Sequence, residues 1–325
     1  MKCPKNVDFD HHSKKFVDDP YTIYRELRDN RPACHTENHG GFWLLSRYDD
    51  VRQTLLDADT FSSSYPGRVA IPNTSRTPPA PLIPIEVDPP LHTHYRSAIA
   101  DYFTKSNVNK LNGKATHLAS NIIDNLLPNR RCDVVKDYAE PFFSQFLAVF
   151  LGLPASDSNR WITWAKAIFA GRVQDPEAAQ LARTELQSYV DTIFESRKGQ
   201  QRTDIFSQIL QLTIEGRKLS TEELRGFGME ILLAGREATI DAISNAIYYL
   251  AKRPNEQLML IADASLLPSA IEEMLRWDSP IQLLGRVASK DTTIHRQTIR
   301  AGQSIAIMYG SANHDERKFR RASEC

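Results

Sequence analysis

The stretch that decides the fold is Lys218–Pro254, KLSTEELRGFGMEILLAGREATIDAISNAIYYLAKRP. Ser220 reads as an N-cap, and Glu223 three residues on completes a capping box ahead of an apolar run. Apolar residues recur at Leu224, Phe227, Ile231, Leu232, Ala234, Ala238, Ala242, Ile243, Ile247 and Leu250, a 3.6-residue rhythm. Pro254 supplies the stop, because it cannot continue a helix. The spacing predicts a central helix over 220–253, about 45–50 Å long at 1.5 Å per residue. Its middle breaks the pattern. Gly235 costs roughly 1 kcal/mol against Ala in a helix interior, and Arg236, Glu237 and Thr239 crowd polar groups beside it. Two readings stand side by side. In one, a small residue lets a flat ligand approach the backbone while the acid handles protons. In the other, Gly235 only serves packing, and Arg236 and Glu237 point to solvent.

Composition narrows the possibilities. Forty basic and forty acidic side chains cancel, which points away from nucleic acid and anionic membranes as partners. The four cysteines, Cys3, Cys34, Cys132 and Cys325, show no CxxC spacing. A disulfide framework or zinc-ribbon site is therefore not expected, and a reducing cytoplasm is. The N-terminus lacks the apolar core of a signal peptide, and no window approaches 18 uninterrupted apolar residues, so no membrane span is expected.

Outward from the central stretch, the chain is mostly helical. Helices are predicted over Asp19–Asn30, Tyr48–Ala58, Pro90–Phe103, Asn107–Leu127, Ala139–Leu151, Asn159–Ala170, Pro176–Lys198, Asp204–Thr213, Glu256–Ala262 and Pro268–Trp277. Gly41–Ser46 reads as a strand, and strand-like patterns return only after Ile281. Ser62–Pro90, rich in Pro, Ser and Thr, is long enough for a functional loop. The helix after it places His92 and Arg96 at i, i+4 on one face. They read either as a clamp for a carboxylate or phosphate or as a solvated pair with a neutral histidine. In SAIEEMLRW, Glu273 and Arg276 stand at i, i+3, and apolar neighbours suggest that the pair is partly buried.

Taken in order, these pieces resemble the cytochrome P-450 family of haem-thiolate monooxygenases, in its soluble bacterial form. DPPLHTHYR is similar to the helix whose His and Arg hold a haem propionate. LLAGREAT resembles the distal oxygen-binding signature, EEMLR the ExxR helix, IQLLGRVASKD the following propionate-binding strand, and YGSANHDERKF the approach to the haem loop. The resemblance implies a mainly α fold with a small β subdomain: one domain over 1–325, with helices, strand and substrate loop at 19–90, a helical core at 90–277 and a β-rich segment at 281–310. It implies haem b as cofactor, with His92, Arg96 and Arg286 on the propionates and Ala234 and Gly235 thinning the helix over the iron. Glu237 would relay protons at the dioxygen site, with Ala238 and Thr239 beside it. Glu273 and Arg276 would lock the structure beneath the haem. The Ser62–Glu86 loop and the Asn159–Lys198 helices would roof a small apolar organic substrate. A ferredoxin and its NAD(P)H-dependent reductase would deliver electrons.

Two departures from the family pattern carry expectations of their own. Ala238 stands where the family usually has Thr, and Thr239 is displaced by about 100° around the helix, so a hydroxyl on the substrate is expected to order the water instead. The family's Phe-Gly-x-Gly-x-x-x-Cys-x-Gly loop and the helix after it have no counterpart in these 325 residues. No metal ligand is therefore assigned, Cys325 lacking the cage that orients a thiolate. A C-terminally truncated chain is expected, with a non-catalytic remnant as the alternative to an active enzyme.

Overall fold

The computed structural model describes residues 6–65, 69, 80–200 and 202–325, without the side chains of 170–174 and 234. Most of the proline-rich loop expected over Ser62–Glu86 therefore lies outside the described residues, as does the side chain of Ala234. The chain divides into two compact units. A helical unit comprises Ala80–Ile85 and Pro89–Ile247. A sheet unit comprises the described residues of 1–79, with Glu86–Asp88 and Tyr248–Cys325.

In the helical unit, α1 (Leu91–Ala100) follows Pro90. Next comes α2 (Glu140–Leu151), whose apolar sequence EPFFSQFLAVFL ends at the left-handed residue Gly152. Phe142, Phe146 and Phe150 stand four residues apart, and their rings stack at 6.2 and 6.4 Å between centroids. The helices α3 (Ser158–Gln174) and α4 (Pro176–Arg197) form a hairpin whose turn is fixed by Asp175, which accepts from the backbone N–H of Ala178 ahead of Pro176. Trp164 donates to Glu185 at 2.7 Å, and Arg160 lies over the rings of Trp164 and Tyr189. Polar and cation–π contacts thus pin the pair, while α4 buries Leu186, Val190 and Phe194, the last two beside Gly228.

The central helix is interrupted, which corrects the single helix expected over 220–253. It consists of α5 (Thr221–Ala234) and α6 (Glu237–Ala251), with a two-residue turn at Gly235–Arg236. Gly235, the weakest helix former in the run, takes the C-cap of α5, so the local cost seen in sequence is relieved by ending the helix there. The start of α5 is as expected. Ser220 accepts from Glu223 N–H at 3.2 Å, and Glu223 accepts from Ser220 N–H at 2.7 Å. The same carboxylate takes both Arg217 Nη atoms at 2.7 and 2.8 Å and the Tyr95 hydroxyl. Further along, Gly228 admits α4: a Cβ there would stand 2.4 Å from Cγ1 of Val190.

The sheet unit is built on β1 (Ala33–Thr36), β2 (Phe42–Leu45), β3 (Phe61–Ser62), β4 (Leu284–Ala288) and β5 (Ser304–Ile307), in the order β1-β2-β5-β4-β3. Only β2 and β5 are parallel, with Trp43 opposite Ile305. All four residues of β2 are buried, and their alternation splits the core in two. Phe42 and Leu44 join Phe9, Phe16, Tyr24 and Leu27 on one face. Trp43 and Leu45 join Ala33, Phe61, Ala288 and Ile305 on the other. Burial of side chains this size contributes roughly 1.5–3 kcal/mol each. A helix, α7 (Leu267–Trp277), carries the Glu273–Arg276 pair. Among the described residues no helix is long and apolar enough to cross a membrane.

Candidate active site

The helical unit holds a half-open cavity of about 580 Å³, within the usual size range for small-molecule sites. Its walls come mainly from three helices, with Pro84, Ile85, Phe103 and Val108 completing them. From α1 come His92, Arg96 and Ile99; from α2, Phe143, Phe146, Leu147 and Phe150; from the end of α5, Glu230, Ile231 and Gly235. The i, i+4 spacing read in the sequence thus brings His92 and Arg96 to one hollow, while His94 is exposed on another face of α1. Among the described residues neither His92 nor Arg96 has an ion-pair or hydrogen-bond partner. Two cationic-type side chains at the edge of an aromatic cavity, without such partners, suit a flat apolar ligand with acidic substituents.

Gly235 forms part of the wall. A Cβ there would come 2.9 Å from the Ile231 carbonyl oxygen and 3.8 Å from Cδ1 of Leu147. Arg236 turns inward instead of facing solvent. It is fully buried, contacts the Glu237 carboxylate through Nη1, lies 3.4 Å from Ser144 Oγ through Nε, and among the described residues leaves Nη2 without a hydrogen-bond partner. Glu237 is 37 % exposed, so it joins a buried guanidinium to solvent. That excludes the solvent-facing reading of Arg236. Ala238 and Thr239 follow on the first turn of α6. Thr239 Oγ1 stands 3.5 Å from the Gly235 carbonyl, the back-bonding geometry common to helix threonines. Glu237, Ala238 and Thr239 are not among the residues lining the cavity.

The remaining candidates belong to the sheet unit. Arg286 lies on β4 and donates to the carbonyl of Gly285 at 2.8 Å. Arg276 meets Glu273 with two hydrogen bonds, 2.8 and 2.7 Å, and donates to the carbonyls of Asn313, Ala322 and Glu324 at 2.6–2.8 Å. The pairing holds the Glu273 carboxyl below its usual range and raises Arg276. Cys325 lines a separate hollow of about 340 Å³ with Tyr249, Glu256 and Glu273. Burial raises its thiol pKa, which disfavours the thiolate that a metal would require.

The family model of cytochrome P450 matches residues 98–324. The chain belongs to the cytochrome P450 family. It is 30 % identical over 309 residues to the putative cytochrome P450 123 of Mycobacterium tuberculosis, covering 94 % of this chain and 76 % of that protein. It is likewise 30 % identical over 322 residues to the cytochrome P450 monooxygenase PikC of Streptomyces venezuelae, covering 97 % and 76 %. Among solved structures, that of a carbohydrate-active P450 superposes with a TM-score of 0.83 at 30 % identity, covering 93 % of this chain and 78 % of that one. The chain thus spans about three quarters of the length of the curated relatives it matches. The mainly helical P450 fold with small sheets and the haem-dependent monooxygenase class expected from the sequence follow from this membership. So does action on an organic substrate with a redox partner.

The sequence reading missed the aromatic wall and the inward turn of Arg236. The first was available as phenylalanines four residues apart over 142–150. The second had no local signal, because its hydrogen-bonding neighbour Ser144 is 92 residues away.

Proposed function

We propose that the chain inserts one oxygen atom from O2 into a small apolar organic substrate, with haem b held in the α1–α2–α5 cavity. The carrying observation is that His92, Arg96 and Gly235 share one aromatic cavity in which, among the described residues, the two basic side chains have no hydrogen-bond or ion-pair partner. The residues present fit a porphyrin: charge-assisted donors for acidic substituents, stacked rings along one wall, and a residue without a side chain on another. None of the lining residues is a cysteine. When bound, the haem supplies the iron chemistry that activates dioxygen.

In this reading His92 and Arg96 orient the cofactor by hydrogen bonds to its carboxylates; for Arg286, on the sheet unit, the family resemblance alone supports assignment to a propionate. Ala234 and Gly235 keep the backbone close to the reacting region. Glu237, in contact with buried Arg236 and partly open to solvent, moves protons inward, a task for which a positioned carboxylate is worth about 10²–10⁴-fold. Ala238 places no hydroxyl beside it, and Thr239 keeps its own near the Gly235 carbonyl. A hydroxyl on the substrate is therefore assigned the role of ordering water there. The helices over Asn159–Lys198 are assigned to the substrate roof; the Ser62–Glu86 loop, assigned there by the resemblance, lies mostly outside the described residues. A ferredoxin and its NAD(P)H-dependent reductase supply electrons in the cytoplasm, and Glu273 and Arg276 lock the structure that supports the cofactor.

The test is turnover under ¹⁸O2 of haem-loaded protein with a ferredoxin system and a panel of small apolar alcohols and ketones. One ¹⁸O atom in a product that depends on both reductant and protein supports the reading. Reductant consumption with no labelled product from any compound of the panel counts against it.

A further inference from the structure

The sheet unit gathers three histidines that the monooxygenase reading does not use. His11, His12 and His39 each offer a ring nitrogen, and these atoms all lie within 4.8 Å of one another. The rings stand 4.2 Å (His11–His12), 5.3 Å (His12–His39) and 5.5 Å (His11–His39) apart between centroids. We propose that His11, His12 and His39 form a binding site for a divalent transition metal of the zinc type, with Asp10 as the orienting carboxylate.

Four features build the site. Asp10 Oδ1 lies 2.7 Å from Nε2 of His39. A carboxylate on one imidazole nitrogen fixes the tautomer and leaves the other as a lone-pair donor, the usual arrangement behind metal-bound histidine. The same Asp10 oxygen accepts from His12 N–H at 2.8 Å, and Ser13 N–H donates to the Asp10 carbonyl at 3.1 Å, which fixes the turn bearing His11 and His12. On the facing side, His39 occupies a left-handed conformation, φ 54° and ψ 35°, within the turn Asn38–Gly40. Asn38 Nδ2 ties that turn to Asp8 Oδ1 at 2.9 Å and to the Phe9 carbonyl at 3.1 Å. Finally, His11 packs against the rings of Phe9 and Phe42 at 6.2 and 6.0 Å, both buried in the core, so one ligand rests on a rigid apolar floor.

Zinc–nitrogen bonds of about 2.0–2.1 Å in a tetrahedron place ligand atoms roughly 3.4 Å apart. Small rotations of exposed His12 about its side-chain bonds close the set, and water completes the coordination. The ion would staple residues 8–13 to the turn between β1 and β2, independently of haem.

The test is calorimetric titration of untagged, EDTA-treated full chain with Zn²⁺, paired with thermal unfolding. The expected result is one Zn²⁺ per chain at this site and a raised Tm. His12→Ala should weaken binding at least tenfold, and Asp10→Asn by about 10–100-fold, the usual loss for an orienting carboxylate. His39→Asn, which tolerates the left-handed backbone, should abolish the site with little change in Tm under EDTA. The control His295→Gln should bind as the parent does. Equal affinity and stoichiometry in the parent and in the combined His12→Ala, His39→Asn variant would overturn the proposal, as would the absence of Zn²⁺ binding by the folded parent.

Discussion

Gly235 and Arg236 show how much two residues decide. Glycine ends α5, and the next residue sends its guanidinium into the protein, to the Glu237 carboxylate and Ser144. A buried cation with one nitrogen unpartnered persists only if the remaining contacts offset its desolvation. Arg236→Ala removes the buried cation itself and leaves the partly exposed Glu237 carboxylate behind, so a cost of about 1–3 kcal/mol is expected in chemical unfolding. Glu237→Gln keeps the shape and removes the charge. It is expected to lower product formation by about 10²-fold while haem content stays at the parental level. A variant that loses haem in proportion to activity would show that the carboxylate supports structure and does not move protons. Ala238→Thr adds the hydroxyl that the sequence lacks. With a hydroxylated substrate, the proposal expects the fraction of reductant appearing in product to change; an unchanged fraction would remove the substrate's assigned part in ordering water.

At the scale of elements, the clearest case is the start of α5. The Ser220–Glu223 box was legible in the sequence because capping is local: both partners lie within four residues. The break at 235–236 was visible only as an anomaly, since a glycine inside an apolar helix is compatible with either a break or a close contact. Glu223 also collects Arg217 and Tyr95, partners that no short window contains. The Arg217 guanidinium, ahead of smaller contributions from Tyr95 and Ser220, depresses its carboxyl to about 2, and burial pushes the Tyr95 hydroxyl up to about 12. A carboxyl with a depressed folded pKa stabilises above its unfolded value near 4.5 and loses that contribution as pH falls towards 2. Acid unfolding of the helical unit followed by circular dichroism should therefore show less loss of stability between about pH 4.5 and 2 in Glu223→Gln than in the parent. Ser220→Ala should cost about 1 kcal/mol at neutral pH. Identical acid profiles for the parent and Glu223→Gln would remove this carboxylate from the ledger of acid stability.

Across the whole chain, the helical core and the β-rich segment could be read from periodicity, and the family from ordered motifs. What could not be read is which distant side chains meet. Arg276 was expected to pair with Glu273 at i, i+3, and does. Its three bonds to the carbonyls of Asn313, Ala322 and Glu324, 37–48 residues on, depend on tertiary packing. Arg276→Ala frees those carbonyls and the Glu273 carboxylate together, and a cost of about 2–4 kcal/mol is expected, seen as a lower Tm of the haem-free chain. Haem, if bound to the folded chain alone, should raise Tm with its concentration. The measurement that bears most directly on the central claim is the rate at which apomyoglobin withdraws haem from the reconstituted chain, followed in the Soret region. Arg96→Ala is expected to accelerate withdrawal at least tenfold, and Val108→Trp, which fills the cavity from a partly exposed lining position, to prevent stoichiometric loading without unfolding the protein. Parental loading and withdrawal rates in both folded variants would contradict the claim that a porphyrin occupies the cavity lined by His92, Arg96 and Gly235.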